Sequence, residues 1–126
     1  MRVLIVEDHP GMRDLLRRIV ERMGYVPVSA SNGEEGIEKA VAEKPDLILL
    51  DMIMPVMDGL EVARRLRANP ETKGIPILAT TALSRSDDLE ACLEAGCNAY
   101  IVKPFGAWDL QAKIGELLAG TKELPA

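Results

Sequence analysis

The chain has 126 residues, the size of one domain that can bury a core of its own. Its formal net charge of −5 argues against direct binding to nucleic acid, which requires a basic face. Hydrophobic residues make up 48% of the sequence and aromatic residues only 3%, so we expect an aliphatic core. No apolar run reaches the roughly 20 residues that span a bilayer, and the run after Met1-Arg2 is too short for a signal peptide. We therefore expect no membrane insertion.

The two cysteines, Cys92 and Cys97, are not a CxxC pair and belong to no His/Cys cluster of the kind that binds zinc. A redox pair is the functional alternative. One cysteine lies in a predicted helix and the other just after it, and we interpret both as small apolar residues in a reducing environment. We therefore expect a cytoplasmic protein.

Strand-like and helix-like segments alternate from end to end, which predicts an α/β fold with a parallel sheet. Five strands are predicted, at residues 3–6, 26–30, 46–50, 75–80 and 99–102. A helix follows each strand, with Ser31 or Asn32 as the cap of the second and Ser86 as the cap of the fourth. Residues 1–120 form one domain in this interpretation, and residues 121–126 form a frayed tail.

The second strand contains Pro27, and because proline lacks a ladder donor we expect this strand at an edge of the sheet. With right-handed crossovers, an edge position fits the strand order 2-1-3-4-5 of a flavodoxin-like, doubly wound (βα)5 fold. The switch point of that topology lies between strands 1 and 3, and ligands bind outside the carboxyl ends of the strands there. The sequence therefore predicts a site between Glu7-Asp8 and Asp51.

Polar residues follow four of the predicted strands and should converge on one rim: Glu7-Asp8, Asp51, Thr80-Thr81 and Lys103. Three neighbouring carboxylates repel one another unless a cation lies between them. Magnesium prefers oxygen ligands, so the three acids predict a site for Mg²⁺, or for Mn²⁺ in its place. Taken alone, each acid could equally be a solvated loop residue or, for Asp8, a helix cap.

Asp51 is the best candidate for a nucleophile, since it follows four apolar residues that should hold its backbone rigidly. Carboxylates form aspartyl phosphates, and in phosphoryl transfer the protein mainly positions groups and neutralises charge. The ammonium of Lys103 would take part of that charge, and Thr81 could donate a hydrogen bond to a phosphoryl oxygen. From the residues alone, the Lys103-Pro104 bond is expected to be trans.

A set of short motifs runs through the chain in a fixed order: Glu7-Asp8, Asp51 with Pro55 and Asp58-Gly59 after it, Thr81-Ala82, and Tyr100 before Lys103-Pro104-Phe105. Together they resemble the receiver domain of two-component response regulators, of the single-domain type found in chemotaxis. The resemblance covers about residues 1–119. Each motif is weak by itself, but the ordered set at these spacings is highly specific.

The resemblance implies a role for each position. Asp51 would be the phosphoacceptor, which takes a phosphoryl group from a histidine kinase or a histidine phosphotransfer protein. Glu7 and Asp8 would be the acid pair, with Asp8 bound directly to magnesium and Glu7 bound through water. The backbone carbonyl of Ile53 would be a further ligand, and Lys103 would hold the phosphate, with a cis bond to the proline that follows.

The resemblance also implies a switch rather than an enzyme, although such a domain assists its own phosphotransfer and slow hydrolysis. Thr81 would be the hydroxyl that moves toward the phosphate, and Tyr100 the aromatic residue that swings inward with it. The expected output is a stand-alone one, through an unknown protein partner that binds the face of helix 4, strand 5 and helix 5.

Three further residues would flank the phosphate in such a domain: Ile53, Ala82 and Leu83. Because Ile53 and Leu83 are apolar, they cannot orient an attacking water, so we expect slow loss of the phosphoryl group. Adjacent strand side chains alternate, so one of the two threonines points at the site. The Thr-Ala motif selects Thr81, which leaves Thr80 as core or hydrogen-bonded filler.

Two other functions use the same residues. A magnesium-dependent phosphohydrolase with an aspartate nucleophile usually has a second acid two positions later, where this chain has Ile53. An interaction module that is never phosphorylated would leave all the reactive residues idle. His9 is expected to be a solvated loop residue rather than a phosphocarrier, and Trp108 part of the core rather than an anchor for a partner.

Overall fold

The computed structural model describes the backbone of residues 1–122 and the side chains of residues 1–119, and within that range strands and helices alternate. The strands are β1 (Arg2–Val6), β2 (Val26–Ala30), β3 (Leu47–Asp51), β4 (Ile77–Thr81) and β5 (Ala99–Val102). The helices are α1 (Pro10–Arg22), α2 (Gly33–Glu43), α3 (Gly59–Ala68), α4 (Ser86–Glu94) and α5 (Ala107–Lys122). The predicted succession of βα units is confirmed.

All five strands are parallel, in the order β2-β1-β3-β4-β5. This is the predicted flavodoxin-like arrangement, with β2 at one edge. Pro27 lies in that edge strand opposite Val3. Proline has no backbone N–H to donate, and within residues 1–122 no further strand on the outer side of β2 requires one. Among the described residues, no helix combines the length and the apolar character needed to cross a membrane.

The sheet has a hydrophobic core on each face. Alternate strand residues pack under α1 and α5 on one side, including Ile5, Leu49 and Leu78, and under α2, α3 and α4 on the other, including Leu50 and Ala79. All five residues of β3 are buried, as its apolar run without alternation predicts for a strand covered on both faces. The carboxyl end of β3 is therefore held from both sides.

The carboxyl ends of β3 and β4 lie one residue later than predicted. Asp51 and Thr81 are the last residues of β3 and β4 rather than the first loop residues, because the ladder continues and Met52 N donates to Thr80 O at 3.0 Å. The predicted domain end at residue 120 falls within α5, and residues 123–126 of the predicted tail lie outside the described residues.

One predicted helix cap is wrong, and one alternative that the sequence left open does not hold. The cap of α4 is Arg85, which makes no side-chain cap bond, and Ser86 is the first helical residue. At α1 the cap is His9 rather than Asp8, since its Nδ1 accepts from the backbone N–H of Met12 at 3.2 Å. For α2, the structure selects Asn32 from the two predicted candidates.

Gly59 is the point at which α3 packs against the end of β3. A Cβ at this position would lie 2.5 Å from the carbonyl oxygen of Asp51 and 2.6 Å from the Cα of Met52. The Gly59 N–H also donates to Met52 O at 3.0 Å. The loop after Asp51 is thereby fixed to the first turn of α3, and only glycine allows so close an approach.

Gly59→Ala should therefore lower the free energy of unfolding by about 1–3 kcal/mol, because backbone atoms must move to admit the methyl group. Urea unfolding followed by circular dichroism measures it. Gly115→Ala in α5 is the control, since its Cβ would have no neighbour within 4 Å, and it should raise stability by roughly 0.5–1 kcal/mol. A Gly59→Ala protein as stable as the parent would contradict the packing described.

Candidate functional site

The carboxyl ends of β1, β3 and β5 bring four charged side chains into one cleft. Glu7, Asp8 and Asp51 each offer a carboxylate oxygen, and these oxygens lie within 4.8 Å of one another. Lys103 lines the same cleft of about 590 Å³. The structure thus brings together the three acids and the lysine that the sequence predicted at the rim.

Lys103 pairs with the two most deeply buried acids. Its Nζ lies 3.2 Å from Glu7 Oε1 and 3.3 Å from Asp51 Oδ1. Its backbone N–H donates to Thr81 O at 2.7 Å, which keeps it against the end of β4. The bond to Pro104 is cis, as the family resemblance implied and contrary to the expectation from the residues alone.

Three acids and one ammonium leave the cleft with a formal charge of −2. Burial raises the pKa of Glu7, and the negative charge of Asp51 adds to this effect, although a hydrogen bond from His9 N–H and the ammonium of Lys103 oppose it. As whole residues, Glu7 and Asp51 are only 1% and 4% exposed. The negative charges in the cleft therefore outnumber the positive charge of Lys103.

A hard cation fits this donor set. The three acids supply oxygen alone, with neither sulfur nor imidazole among the ligand atoms brought together, and Mg²⁺ and Mn²⁺ prefer such ligands. A divalent ion would also cancel the remaining formal charge. The chemistry and the placement of these residues therefore fit the metal predicted from the sequence.

The turn that carries the acid pair is held by contacts that the sequence did not reveal. Arg13 Nη1 donates to the carbonyl oxygens of Glu7 at 2.9 Å and of Asp8 at 3.4 Å. Glu7 Oε2 accepts from His9 N–H at 3.1 Å. One signal was available, because a cation near the N-terminal end of α1 opposes the helix dipole and so suggests another role.

Asp51 and the loop after it are similarly fixed. Asp51 Oδ1 accepts from the backbone N–H of Ile53 at 3.2 Å. Asp58 caps α3 by accepting from Glu61 N–H at 3.0 Å. Ile53 itself is 50% exposed and lines the cleft, and the metal-binding role of its carbonyl remains a prediction.

Thr81 faces a different cavity from the acids. Its Oγ1 accepts from Leu83 N–H at 3.0 Å, and it lines a cavity of about 320 Å³ that Ile53, Leu83 and Cys92 also line. Ala82, by contrast, lines the acidic cleft. The three predicted phosphate-flanking residues thus lie at the two cavities, with Ile53 shared by both.

The two threonines occupy opposite faces of β4. Thr81 shares its face with Ala79, beneath α2, α3 and α4, and Tyr100 packs against that same cluster. Thr80 shares the face of Leu78, which is also the face of Asp51. Thr80 is 1% exposed, as a core residue should be, but its hydroxyl has no hydrogen-bond partner within residues 1–119.

Trp108 is 86% exposed, so its predicted place in the core is wrong. The face that α5 buries carries Leu110, Ile114 and Leu118, and a residue two positions before Leu110 lies on the opposite side of a helix with 3.6 residues per turn. The two cysteines are free and buried, and burial raises the pKa of Cys97 to about 12, which fits the predicted unreactive role.

Comparison with known proteins gives a consistent result. A model of the response regulator receiver domain family matches residues 3–115. The DNA-binding dual master transcriptional regulator RpaA of Synechocystis is 37% identical over 98% of this chain, which spans about half of that relative's length, 52%.

Solved structures of similar fold include the chemotaxis protein CheY4 of Vibrio cholerae, with a TM-score of 0.88 at 28% identity over 92% of this chain and 97% of that one. A second is the receiver domain of the sensor histidine kinase PA1611 of Pseudomonas aeruginosa, with a TM-score of 0.87 at 32% identity over 94% and 97% of the two chains. That structure has a magnesium ion coordinated in its active-site cleft.

The raised pKa of Glu7 predicts how stability depends on pH in the absence of metal. The folded state keeps the Glu7 proton to higher pH than the unfolded chain does, so this group costs stability as pH rises through the raised pKa. Glu7→Gln should therefore stabilise the protein in EDTA, by a margin that grows as pH rises above about 4.3, the ordinary pKa of glutamate.

Urea unfolding at a series of pH values measures that margin. Glu38→Gln, which neutralises an exposed acid of α2, is the control for the change in net charge. A margin for Glu7→Gln that stays constant with pH would be evidence against the raised pKa.

Proposed function

We propose that this chain, which belongs to the response regulator receiver domain family, is a phosphorylation switch whose phosphoacceptor is Asp51. The phosphoryl group comes from the histidine of a kinase or of a phosphotransfer protein. The observation that carries the proposal is the position of Asp51, which ends a strand buried on both faces and lies between the acid pair and Lys103.

In the reaction, a carboxylate oxygen of Asp51 attacks phosphorus while the bond from phosphorus to the donor's nitrogen breaks. The ion pair to Lys103 keeps an ammonium beside the attacked group, where it neutralises phosphoryl oxygens. Glu7, Asp8, Asp51 and the carbonyl of Ile53 would hold Mg²⁺ or Mn²⁺, which supplies further positive charge to the phosphoryl group when bound. The hydrogen bonds from Arg13 to the carbonyl oxygens of Glu7 and Asp8 hold the acid pair at the cleft.

The signal then passes to the other face of the sheet. Thr81 and Tyr100 lie on that face, next to α4, and are proposed to rearrange when Asp51 is phosphorylated. A protein partner would read the change on the surface of α4, β5 and α5, where Trp108 is exposed. The net charge of −5 argues against nucleic acid as a direct target of this domain.

Incubation with Mg²⁺ and acetyl phosphate should give an acid-stable, base-labile adduct, observed by intact mass spectrometry, that Asp51→Asn abolishes. Asp58→Asn is the matched control, because asparagine also caps helices and, among residues 1–119, the Asp58 side chain hydrogen-bonds only to Glu61 N–H. Failure of the parent to form any adduct would favour the interaction module. Rapid turnover of many phosphate esters would favour the phosphohydrolase.

The aspartyl phosphate should be long-lived, because Ile53 and Leu83, 50% and 43% exposed, offer no polar group to orient water. The double variant Ile53→Asn, Leu83→Glu should lose phosphate faster, on the order of 10-fold, below the roughly 100-fold that a fully positioned acid–base group supplies. Leu93→Glu, which adds the same charge at an exposed apolar position of α4, should change nothing. A double variant with the parent's phosphate lifetime would refute the idea that these two residues set the lifetime.

A further inference from the structure

A row of buried polar side chains crosses the carboxyl edge of the sheet. In the strand register Val6 pairs with Leu50, so that Glu7 follows beside Asp51, and Asp51 pairs with Thr80. All three polar residues lie on the face covered by α1 and α5, because side chains alternate along each strand. Asp51 is therefore flanked by Glu7 on one side and Thr80 on the other.

Within residues 1–119, Thr80 is the member of this row whose polar side-chain atom makes neither a hydrogen bond nor an ion pair. Glu7 and Asp51 both pair with Lys103, whereas Thr80 Oγ1 is buried with no hydrogen-bond partner in the described part of the chain. An unpaired buried hydroxyl costs stability, and valine would fill nearly the same volume without that cost. Packing alone therefore does not account for threonine at this position.

Of the two strand residues that pair with Thr80, one has a side chain that can accept a hydrogen bond. On β5 its register partner is Ile101, which is apolar. On β3 its partner is Asp51, whose carboxylate can accept about four hydrogen bonds. Ile53 N–H and Lys103 Nζ both donate to Oδ1 of this carboxylate. Adjacent strands lie about 4.8 Å apart, so rotation of the threonine side chain can bring the hydroxyl to the carboxylate.

We propose that Thr80 is a positioning residue for Asp51: its hydroxyl donates a hydrogen bond to the carboxylate and holds it in the orientation needed to bind metal and attack phosphorus. A hydrogen bond to an ionised acceptor is stronger than one between neutral groups, and the negative cleft favours a donor at this position. The inference rests on the function proposed above, since it assigns Thr80 a part in the same site.

The test compares Thr80→Val, which removes the hydroxyl, with Thr80→Ser, which keeps it. Calorimetric titration of the unphosphorylated protein with Mg²⁺ gives the Kd, and the adduct formed with acetyl phosphate gives the rate of phosphorylation. Thr80→Val should raise the Kd and lower the rate, each by about 10-fold, as expected when a partner that orients a metal ligand is lost. Thr80→Ser should restore most of both values.

Thr72→Val is the matched control. This threonine is also 1% exposed, but its hydroxyl donates to Leu66 O at 2.7 Å, in the connection between α3 and β4. The substitution should lower stability and leave both the Mg²⁺ Kd and the phosphorylation rate unchanged. A loss of stability is thereby separated from a loss of orientation at Asp51.

Several results would overturn the inference. The first is a Thr80→Val protein with the parent's Kd and rate; Thr80→Ala supplies the same test if valine prevents folding. The second is an equal loss in Thr80→Val and Thr80→Ser, which would assign the effect to shape. The third is the absence of any effect of Thr80→Val in a Lys103→Met background, which would make the lysine the hydroxyl's partner. A parent that neither binds Mg²⁺ nor forms an adduct would refute the proposed function as well.

Discussion

The contact of Lys103 with Glu7 and Asp51 is the interaction on which the geometry of the rim depends. Both carboxylates are buried, and without the ammonium they would face each other uncompensated in a region of low dielectric. Because β4 lies between β3 and β5, the lysine must pass over the end of β4 to reach them. Ala82, just after the end of β4, lines the same cleft as the lysine.

The rest of the fold keeps this contact in register. Burial on both faces fixes the ends of β1 and β3, while Gly59 lets the first turn of α3 pack directly on the backbone of Asp51. Arg13 performs the equivalent task for the turn of the acid pair. The acids are thus held together by covalent connection to a rigid sheet, although their charges repel. A bound cation would offset that repulsion, which favours its binding.

The fold and the charged site follow from short-range sequence patterns. Pro27 marks the edge strand, the apolar run before Asp51 marks a central strand, and the topology of parallel strands brings their ends together. The chain order and the period of the apolar residues predict which strand ends meet, but only to within one or two residues at each boundary.

What the sequence did not predict depends on side-chain reach and on the rotation of helices. Arg13 acts through its long side chain on a turn five to six residues earlier, a contact that no periodicity encodes. The exposure of Trp108 depends on which face α5 presents to the sheet. The lack of a hydrogen-bond partner for the Thr80 hydroxyl within residues 1–119 depends on how both adjacent strands are placed, which the sequence alone does not give.

The position of the two threonines has a mechanical consequence for the domain. The proposed phosphorylation site lies on one face of the sheet, and α4, part of the proposed partner-binding surface, packs on the other. At the end of β4, a single peptide unit joins Thr80 in the first layer to Thr81 in the second. A rotation of that peptide would turn both side chains at once, which gives the proposed signal a route across the sheet at this point.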